Sequence, residues 1–294
     1  VGNRRRVLIT IRSAAAELYA LPWELLTLKS TGQHVGELDG VLLRYEWPRT
    51  ATKPESPAPR PGSGRILLAW SAAGGPVPAG AHSSAIDNAR RAVGLHLELD
   101  QDVLPHLSCG RLTAALAAAD KRGQPISVLH ILCHGGTAGS TFGLVLDSDS
   151  PAAESVVVDA GRLRQLLSPY AGMVRLVVLL ACNSGNPGVL GNQLGSIAQA
   201  LHRAGIAAIV ASRYPMSVAG SIRLAETLYP RLLFGLESLE SALLAVRATV
   251  AEHAESLDWA GLQLYARAAD GDDTRPVVFR PYQGLNSYRL LQRR

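Results

Sequence analysis

Residues 126–136 of this 294-residue chain read ISVLHILCHGG, and residues 174–185 read VRLVVLLACNSG. Each stretch is an apolar run of strand length that ends in a reactive side chain, His134 in the first run and Cys182 in the second. Ligands of open parallel sheets bind in the crevice beyond the carboxyl ends of the strands. If the two runs are strands of one such sheet, His134 and Cys182 can share one site as a base and a nucleophile.

The segments around these two runs predict the fold class. From residue 65 onward, strand-like runs alternate with helix-like segments, which is typical of an α/β fold with a mostly parallel central sheet and helices on both faces. The run at 174–181 has no polar residue except Arg175, as expected of a central strand. We predict strands at 65–70, 95–99, 126–133, 174–181, 206–211, 259–265 and 277–279, a short hairpin at 142–147, and helices at 83–93, 112–122, 159–168, 194–203, 218–234 and 238–255.

The chain before residue 65 differs from this core in composition. Residues 1–50 contain strand patterns at 6–12 and 41–45 and a short helical segment between them. Residues 51–64 are rich in Pro and Ser without periodicity, as in a linker or an exposed loop. We therefore place a subdomain boundary there, with a core at 65–285 and a basic tail at 286–294.

Composition excludes several classes of protein. No apolar run approaches the length of about 20 residues that spans a bilayer, and the N-terminus lacks the pattern of a signal peptide. An odd number of cysteines, three, argues against a disulfide framework. We therefore expect a cytoplasmic protein with no membrane partner. The net charge of +5 includes arginines clustered at both ends of the chain, so we expect no direct nucleic-acid partner.

The chemistry that the two runs allow is acyl transfer. An imidazole, with a pKa of about 6.5, can deprotonate a thiol and later protonate a leaving amine near neutral pH. Gly135 and Gly136 let the backbone turn tightly, so the amides of Gly135 and Cys182 can form an oxyanion hole. The alternative is structural, because a cysteine at a strand end is often a small core residue. His130 and Cys133, inside the first run, are expected in the core.

The sequence contains no motif of a zinc site, a serine hydrolase or a nucleotide-binding site. The positions of Cys133, His134 and Cys182 lack the paired ligand spacing of zinc sites, so we predict no metal. No G-x-S-x-G elbow, Walker A loop or G-x-G-x-x-G fingerprint is present. We therefore expect neither a serine hydrolase nor a nucleotide-binding protein, and no cofactor.

A series of ordered motifs resembles the CHAT domain, a bacterial relative of the caspases and separase among the caspase-fold cysteine peptidases. The resemblance covers about residues 20–280, and the order of the motifs makes it specific. The motifs are LPWELL at 21–26, LHILCHG at 129–135, GLVL at 143–146, VLLACNSG at 178–185, AGIAAIVAS at 204–212, LYPRLLFG at 228–235, ALLAVR at 242–247 and WAGLQLY at 259–265.

The resemblance implies a caspase-like α/β sandwich and a Cys-His endopeptidase with His134 and Cys182 as its catalytic pair. It also implies that residues 1–50 belong to the same unit. Such a protein would cleave a specific protein partner as an effector in bacterial defence or signalling. Its sensor or regulatory domain would be missing from this fragment, which begins with Val. The alternative is a catalytically idle caspase-like module that serves as a scaffold or oligomerisation unit.

Activity of such an effector is expected to be gated by a partner or ligand. The Gly-, Asn- and Ser-containing segments at 183–192 and 137–142 are predicted to be mobile loops that binding would order.

The candidate substrate pocket departs from the family pattern. Tyr214 stands where family members commonly have Trp, and Met216 and Ser217 stand where an acidic residue is common. Arg213 either faces an acidic P1 side chain or is a solvated surface charge. Related basic-specific peptidases have an Asp two residues before the nucleophile, where this chain has Leu180. Asp87 is a further candidate for the pocket lining, and the P1 preference stays open.

Overall fold

The central sheet is built from short apolar runs whose side chains alternate between its two faces. The computed structural model describes residues 6–19, 21–48, 65–139, 141–181, 193–233, 237–252 and 257–266. The strands within these residues are β1 (Val7–Arg12), β2 (Val41–Glu46), β3 (Arg65–Trp70), β4 (Val103–Leu104), β5 (Ile126–Ala138), β6 (Thr141–Asp147), β7 (Ser155–Asp159), β8 (Leu176–Ala181), β9 (Ala208–Ser212) and β10 (Leu262–Ala266). The helices are α1 (Ala79–Arg91), α2 (Leu99–Asp102), α3 (Cys109–Lys121), α4 (Ala160–Leu167), α5 (Gln193–Arg203), α6 (Val218–Leu233), α7 (Leu239–Ala251) and α8 (Asp258–Gly261), and single 3₁₀ turns lie at Ala16–Tyr19, Trp23–Leu25, Val35–Glu37 and Ser168–Tyr170.

The sheet is mostly parallel, as predicted. Its strands lie in the order β1, β2, β10, β9, β8, β5, β3 and β4. Each neighbouring pair in this order is parallel except β10 with β9, which is antiparallel. β6 and β7 continue from β5 as antiparallel strands. The N-terminal strands β1 and β2 thus extend the sheet that carries the core, and they join it where Tyr45 pairs with Tyr265.

Helices cover both faces of this sheet, which confirms the predicted α/β sandwich. In β5, Leu129, Ile131 and Cys133 pack with α3, α4 and α5, whereas Val128 and Leu132 pack with α1, α6 and α7. β8 is buried on both faces, as its unbroken apolar run predicts. No helix of the described residues is long and apolar enough to cross a membrane.

Several predicted boundaries are confirmed by their capping residues. The Asp159 carboxylate accepts a hydrogen bond of 2.8 Å from the Arg162 amide at the start of α4, and α4 ends before Pro169. Ser238 likewise caps α7. The predicted start of α1 at residue 83 is wrong, because the helix begins at Ala79, directly after Pro78.

The predicted strand at 95–99 is wrong. Residues 95–98 form no strand, and α2 begins at Leu99. The edge of β3 is instead occupied by the two-residue strand β4. The alternation of apolar residues at 95–99 is the pattern of a strand, but a strand also requires a partner, and the sequence does not show which edge is available.

β5 is longer than predicted and serves two sheets. Its first part pairs with β3 and β8, and from His134 onward it pairs with β6. Gly135 and Gly136 therefore continue the strand, and the predicted tight turn at these glycines is wrong. Part of the segment at 137–142, predicted as a mobile loop, is also paired, with Thr137 opposite Phe142 and Ala138 opposite Thr141.

Some predictions lie outside the described residues. They are the linker at 51–64, the nucleophile Cys182 with the loop at 183–192, the strand at 277–279 and the basic tail at 286–294.

Candidate active site

His134 lies where β5 leaves the parallel sheet. Cys133, the residue before it, pairs with Ala181, the last residue of β8 and the one that precedes Cys182 in the sequence. The structure thus confirms that the two opening runs are adjacent parallel strands, paired up to the residues that precede His134 and Cys182. Cys182 itself lies outside the described residues.

The His134 ring is held by a backbone carbonyl. Its Nε2 atom lies 3.3 Å from the carbonyl oxygen of Pro76, and only 4% of the residue is exposed. A carbonyl oxygen only accepts hydrogen bonds, so Nε2 carries the proton of the neutral ring. Nδ1 then holds the free lone pair, and no described residue makes a hydrogen bond to it. The neutral ring is therefore set to accept a proton at Nδ1.

The loop that supplies this carbonyl requires two glycines. A Cβ atom on Gly74 would lie 2.7 Å from Cβ of His134, which is closer than real Cβ contacts come. Gly75 has a φ of +129°, a conformation that side-chain-bearing residues rarely adopt, and it faces Nε2 of His134. This loop is not among the predicted site residues. The sequence does carry a signal for it, because residues 71–78 follow the carboxyl end of β3, the strand beside β5.

Gly135 is required for close packing against Phe142 and not for the predicted tight turn. A Cβ atom there would lie 2.6 Å from Cζ of Phe142, so the missing side chain admits the Phe142 ring against the strand. The role of the Gly135 amide in an oxyanion hole stays a prediction.

Two of the candidate pocket residues follow β9. Arg213 is only 2% exposed, so the interpretation as a solvated surface charge is wrong. Its Nη2 atom donates to the carbonyl oxygen of Tyr19 at 3.2 Å and to the hydroxyl of Tyr45 at 3.4 Å. Tyr214 is half-buried and lies against Gly261. The guanidinium of Arg213 therefore joins the end of β9 to the N-terminal segment.

The other two candidates serve structural contacts. Leu180 has no exposed surface and packs in the core between the sheet and α6 and α7, so it lines no open pocket. Asp87 forms an ion pair of 2.8 Å with Arg91 and accepts a hydrogen bond of 3.2 Å from the Leu97 amide. Its carboxylate thereby fixes the turn after α1.

A buried charged cluster near Arg213 is absent from the sequence-based predictions. Glu24, in the LPWELL motif, has no exposed surface and accepts hydrogen bonds of 2.8 and 2.9 Å from the Tyr45 hydroxyl. Burial raises the pKa of Glu24, while the nearby guanidinium groups of Arg247 and Arg213 lower it. Burial lowers the pKa of Arg247, and Glu24 opposes that effect. The signal in the sequence is a charged residue inside an apolar motif, because such residues are rarely buried without partners.

The described cysteines are poor nucleophiles. Cys133 has no exposed surface, which confirms its place in the core, as does the burial of His130. Cys109 is 9% exposed, and burial raises the pKa of its thiol. Because the thiolate is the reactive form, a thiol with a raised pKa reacts slowly. Among the described residues, no three His, Cys, Asp or Glu side chains lie close enough together to hold a metal ion.

Comparison with known protein families identifies the family of this chain. Residues 2–267 match the family model of the CHAT domain, which includes every strand from β1 to β10 and the positions of His134 and Cys182. No curated protein matches the chain.

Proposed function

The chain belongs to the CHAT-domain family, and we propose that it is a cysteine endopeptidase in which Cys182 is the nucleophile and His134 the general base. Family membership brings a caspase-like α/β fold and an association with proteolysis. The observation that carries the proposal is the register of Cys133 with Ala181, because these residues immediately precede His134 and Cys182 on adjacent parallel strands.

The hydrogen bond from Nε2 of His134 to the Pro76 carbonyl leaves Nδ1 as the atom that acts as the base. In the first step, the Cys182 thiol transfers its proton to Nδ1 of His134, and the thiolate attacks the scissile carbonyl carbon. The amides of Gly135 and Cys182 are proposed to stabilise the oxyanion. Nδ1 then returns the proton to the leaving amine, which departs as the C–N bond breaks.

The second half of the reaction regenerates the enzyme. His134 takes a proton from water, the hydroxide attacks the thioester carbonyl, and the C–S bond breaks. The carboxylic acid product leaves, and the proton on His134 returns to the Cys182 thiolate. Throughout both halves, the Nε2–H group of His134 is proposed to stay paired with the Pro76 carbonyl, so that this contact orients both the neutral and the charged ring.

The biological setting is proposed from family membership alone. We expect the peptidase to cleave a dedicated protein partner as an effector of bacterial defence or signalling, under the control of a regulatory partner or ligand. Two segments are predicted as mobile loops that binding would order. Because Thr137 and Ala138 are paired with Phe142 and Thr141, the other segment, at 183–192, is the candidate for gating. Equal turnover by the isolated chain and by the chain with its partner would count against gating.

A thiol-reactive peptide probe tests the proposed chemistry. We expect labelling at Cys182 and none in a Cys182→Ala variant, with much slower labelling in His134→Ala. Cys109 and Cys133 act as internal controls, because both are buried. Labelling that persists in Cys182→Ala, or no labelling of the activated protein, would overturn the assignment and favour the idle scaffold.

Mapping of new protein N-termini then tests for a substrate. Wild-type protein and Cys182→Ala are each added to a bacterial lysate, and the N-termini that appear only with wild-type protein are sequenced. We expect a small set that shares one P1 residue. An identical set of N-termini with both proteins would contradict endopeptidase activity.

A further inference from the structure

A chain of four buried polar side chains links β5 to α1 and α6. Nε2 of His130 lies 3.1 Å from Nδ1 of His82, and Nδ1 of His130 lies 2.5 Å from the Tyr229 hydroxyl. At the other end, Nε2 of His82 lies 3.2 Å from Oγ of Ser221. All four residues have no exposed surface. The catalytic steps proposed above use none of them.

The donors and acceptors of these four side chains can be assigned in order, because each group donates to the next one along the series. Ser221 donates its hydroxyl proton to the carbonyl oxygen of Val218 at 2.8 Å, which leaves its oxygen as an acceptor for His82. Nε2 of His82 is therefore protonated, and its Nδ1 accepts from Nε2 of His130. Nδ1 of His130 in turn accepts from the Tyr229 hydroxyl. Each ring is thus fixed as the neutral Nε2–H tautomer.

Burial keeps both rings neutral. Loss of hydration lowers the pKa of His82 to about 4, and it lowers the pKa of His130 well below the ordinary value. Each neutral ring offers one donor and one acceptor, and both are used in the chain. The pair therefore forms a specific, directional contact between β5 and α1.

The position of this contact relates it to His134. His82 lies in the first turn of α1, and the loop immediately before that helix carries Pro76. His130 lies four residues before His134 on β5, so both side chains project from the same face of the strand. The loop and α1 are thus joined to β5 at two points, Pro76 to His134 and His82 to His130.

We propose that the hydrogen bond between His82 and His130 is a positioning clamp, which fixes the Pro76 carbonyl and so holds the Nε2–H tautomer and orientation of His134. The consequence for catalysis rests on the proposed function, whereas the effect on the His134 ring does not. His82 and His130 act through Pro76 and touch no reacting atom.

Apolar packing alone would hold α1 on the sheet but would not fix this register. Ile86 and Ala89 already bury the next turns of α1 against the same core. Buried polar atoms are costly when unpaired, so a chain of paired atoms restricts the helix to positions that keep the pairs intact. A shift of about 1 Å in a positioning group can lower a rate about 100-fold.

Nitrogen NMR of the histidine side chains tests the clamp directly. In protein with 15N-labelled histidine and the Cys182→Ala substitution, the neutral His134 ring is expected to show a protonated Nε2 and an unprotonated Nδ1. Its signals are identified by their loss in His134→Gln. The substitution at Cys182 makes the readout independent of catalysis.

The variant for this test replaces three of the four hydrogen-bonded side chains by apolar ones, through the substitutions His82→Leu, His130→Leu and Tyr229→Phe together. Ser221 keeps its own bond to Val218, so no polar side-chain atom of the chain is left unpaired. We expect this variant to fold and to give His134 signals of mixed tautomers. A folded variant with the wild-type His134 tautomer would overturn the proposal.

Probe kinetics with Cys182 restored give the second readout. We expect the maximal labelling rate to fall roughly 10-fold to 100-fold while the probe concentration at half-maximal rate is unchanged. Ser238→Ala, which removes the cap of α7, is the control for a general loss of stability, and it should leave both readouts at wild-type values. Absence of labelling in every variant, wild type included, would refute the peptidase assignment and leave the NMR result valid.

Discussion

A Cβ atom on Gly74 would lie 2.7 Å from Cβ of His134, so the loop that orients the His134 ring tolerates no side chain at this position. Gly74→Ala is therefore expected to push the loop off His134 and to lower the labelling rate of Cys182 at least roughly 10-fold. Gly80→Ala is the matched control, because a Cβ there meets nothing within 4 Å. Equal labelling rates for the two variants would contradict this account.

The contact between Gly135 and Phe142 predicts a second-site rescue. Gly135→Ala places a methyl group 2.6 Å from Cζ of Phe142 and should lower both the melting temperature and the labelling of Cys182. Adding Phe142→Ala removes the clash and should recover most of the labelling relative to Gly135→Ala alone. Phe142→Ala by itself is the control for the loss of the ring. A double variant as inactive as Gly135→Ala would show that the methyl group acts on something other than Phe142.

The buried histidine pair predicts a stability that falls in acid. The unfolded chain binds protons at His82 and His130 below the ordinary pKa of 6.5, whereas folded His82 binds none until about pH 4. The free energy of unfolding should therefore decrease as the pH falls from 7 to 4 and should lose nothing further from His82 below that. The loss from His82 is on the order of 3 kcal/mol.

Urea unfolding at a series of pH values measures this loss. The variant His82→Leu/His130→Leu/Tyr229→Phe is the control, since it has no protons to gain at these positions. Its free energy of unfolding should depend less steeply on pH between 7 and 4. The same slope in both proteins would place the acid sensitivity elsewhere.

The Glu24 cluster predicts an unusually large effect of one carboxylate on stability. Glu24→Ala removes the carboxyl group that faces the buried Arg247 and Arg213 and leaves these guanidinium groups without it, so the expected cost is about 3–5 kcal/mol of the free energy of unfolding. Glu237→Ala removes a carboxylate 2.9 Å from Arg231 in a partly exposed pair and should cost at most about 1 kcal/mol. Equal costs in urea unfolding would show that Glu24 is not electrostatically coupled to the arginines.

The features that are predictable from the sequence are those with a local cause. The apolar period of two and the unbroken run of β8 predict buried strands, and Asp159 and Ser238 predict the starts of α4 and α7. The parallel pairing of β5 with β8 up to Cys133 and Ala181 follows from the general geometry of parallel sheets. The amino-acid pattern alone is therefore enough to place His134 where the pairing with β8 ends, but it does not show that β5 continues to Ala138.

The features that the sequence does not reveal depend on distant partners. Pro76 orients His134 across 58 positions of sequence, and Arg213 reaches Tyr19 across 194. Arginine side chains are mostly exposed, and the residues next to Arg213 in the sequence give no sign of its burial. The glycines after His134 suggest a turn, because the sequence does not show that a strand partner and the Phe142 ring lie beside them.

The one-way hydrogen bonding of the histidine chain also constrains how related sequences can change. Loss of either ring leaves a buried polar atom of the other ring without a hydrogen-bond partner. The first substitution therefore lowers stability, and the second restores it. Positions 82 and 130 should therefore co-vary across CHAT-domain sequences, with both histidines kept or both replaced by apolar residues. Position 229 should follow them as Tyr or Phe. In an alignment, positions 82, 130 and 229 would then change together.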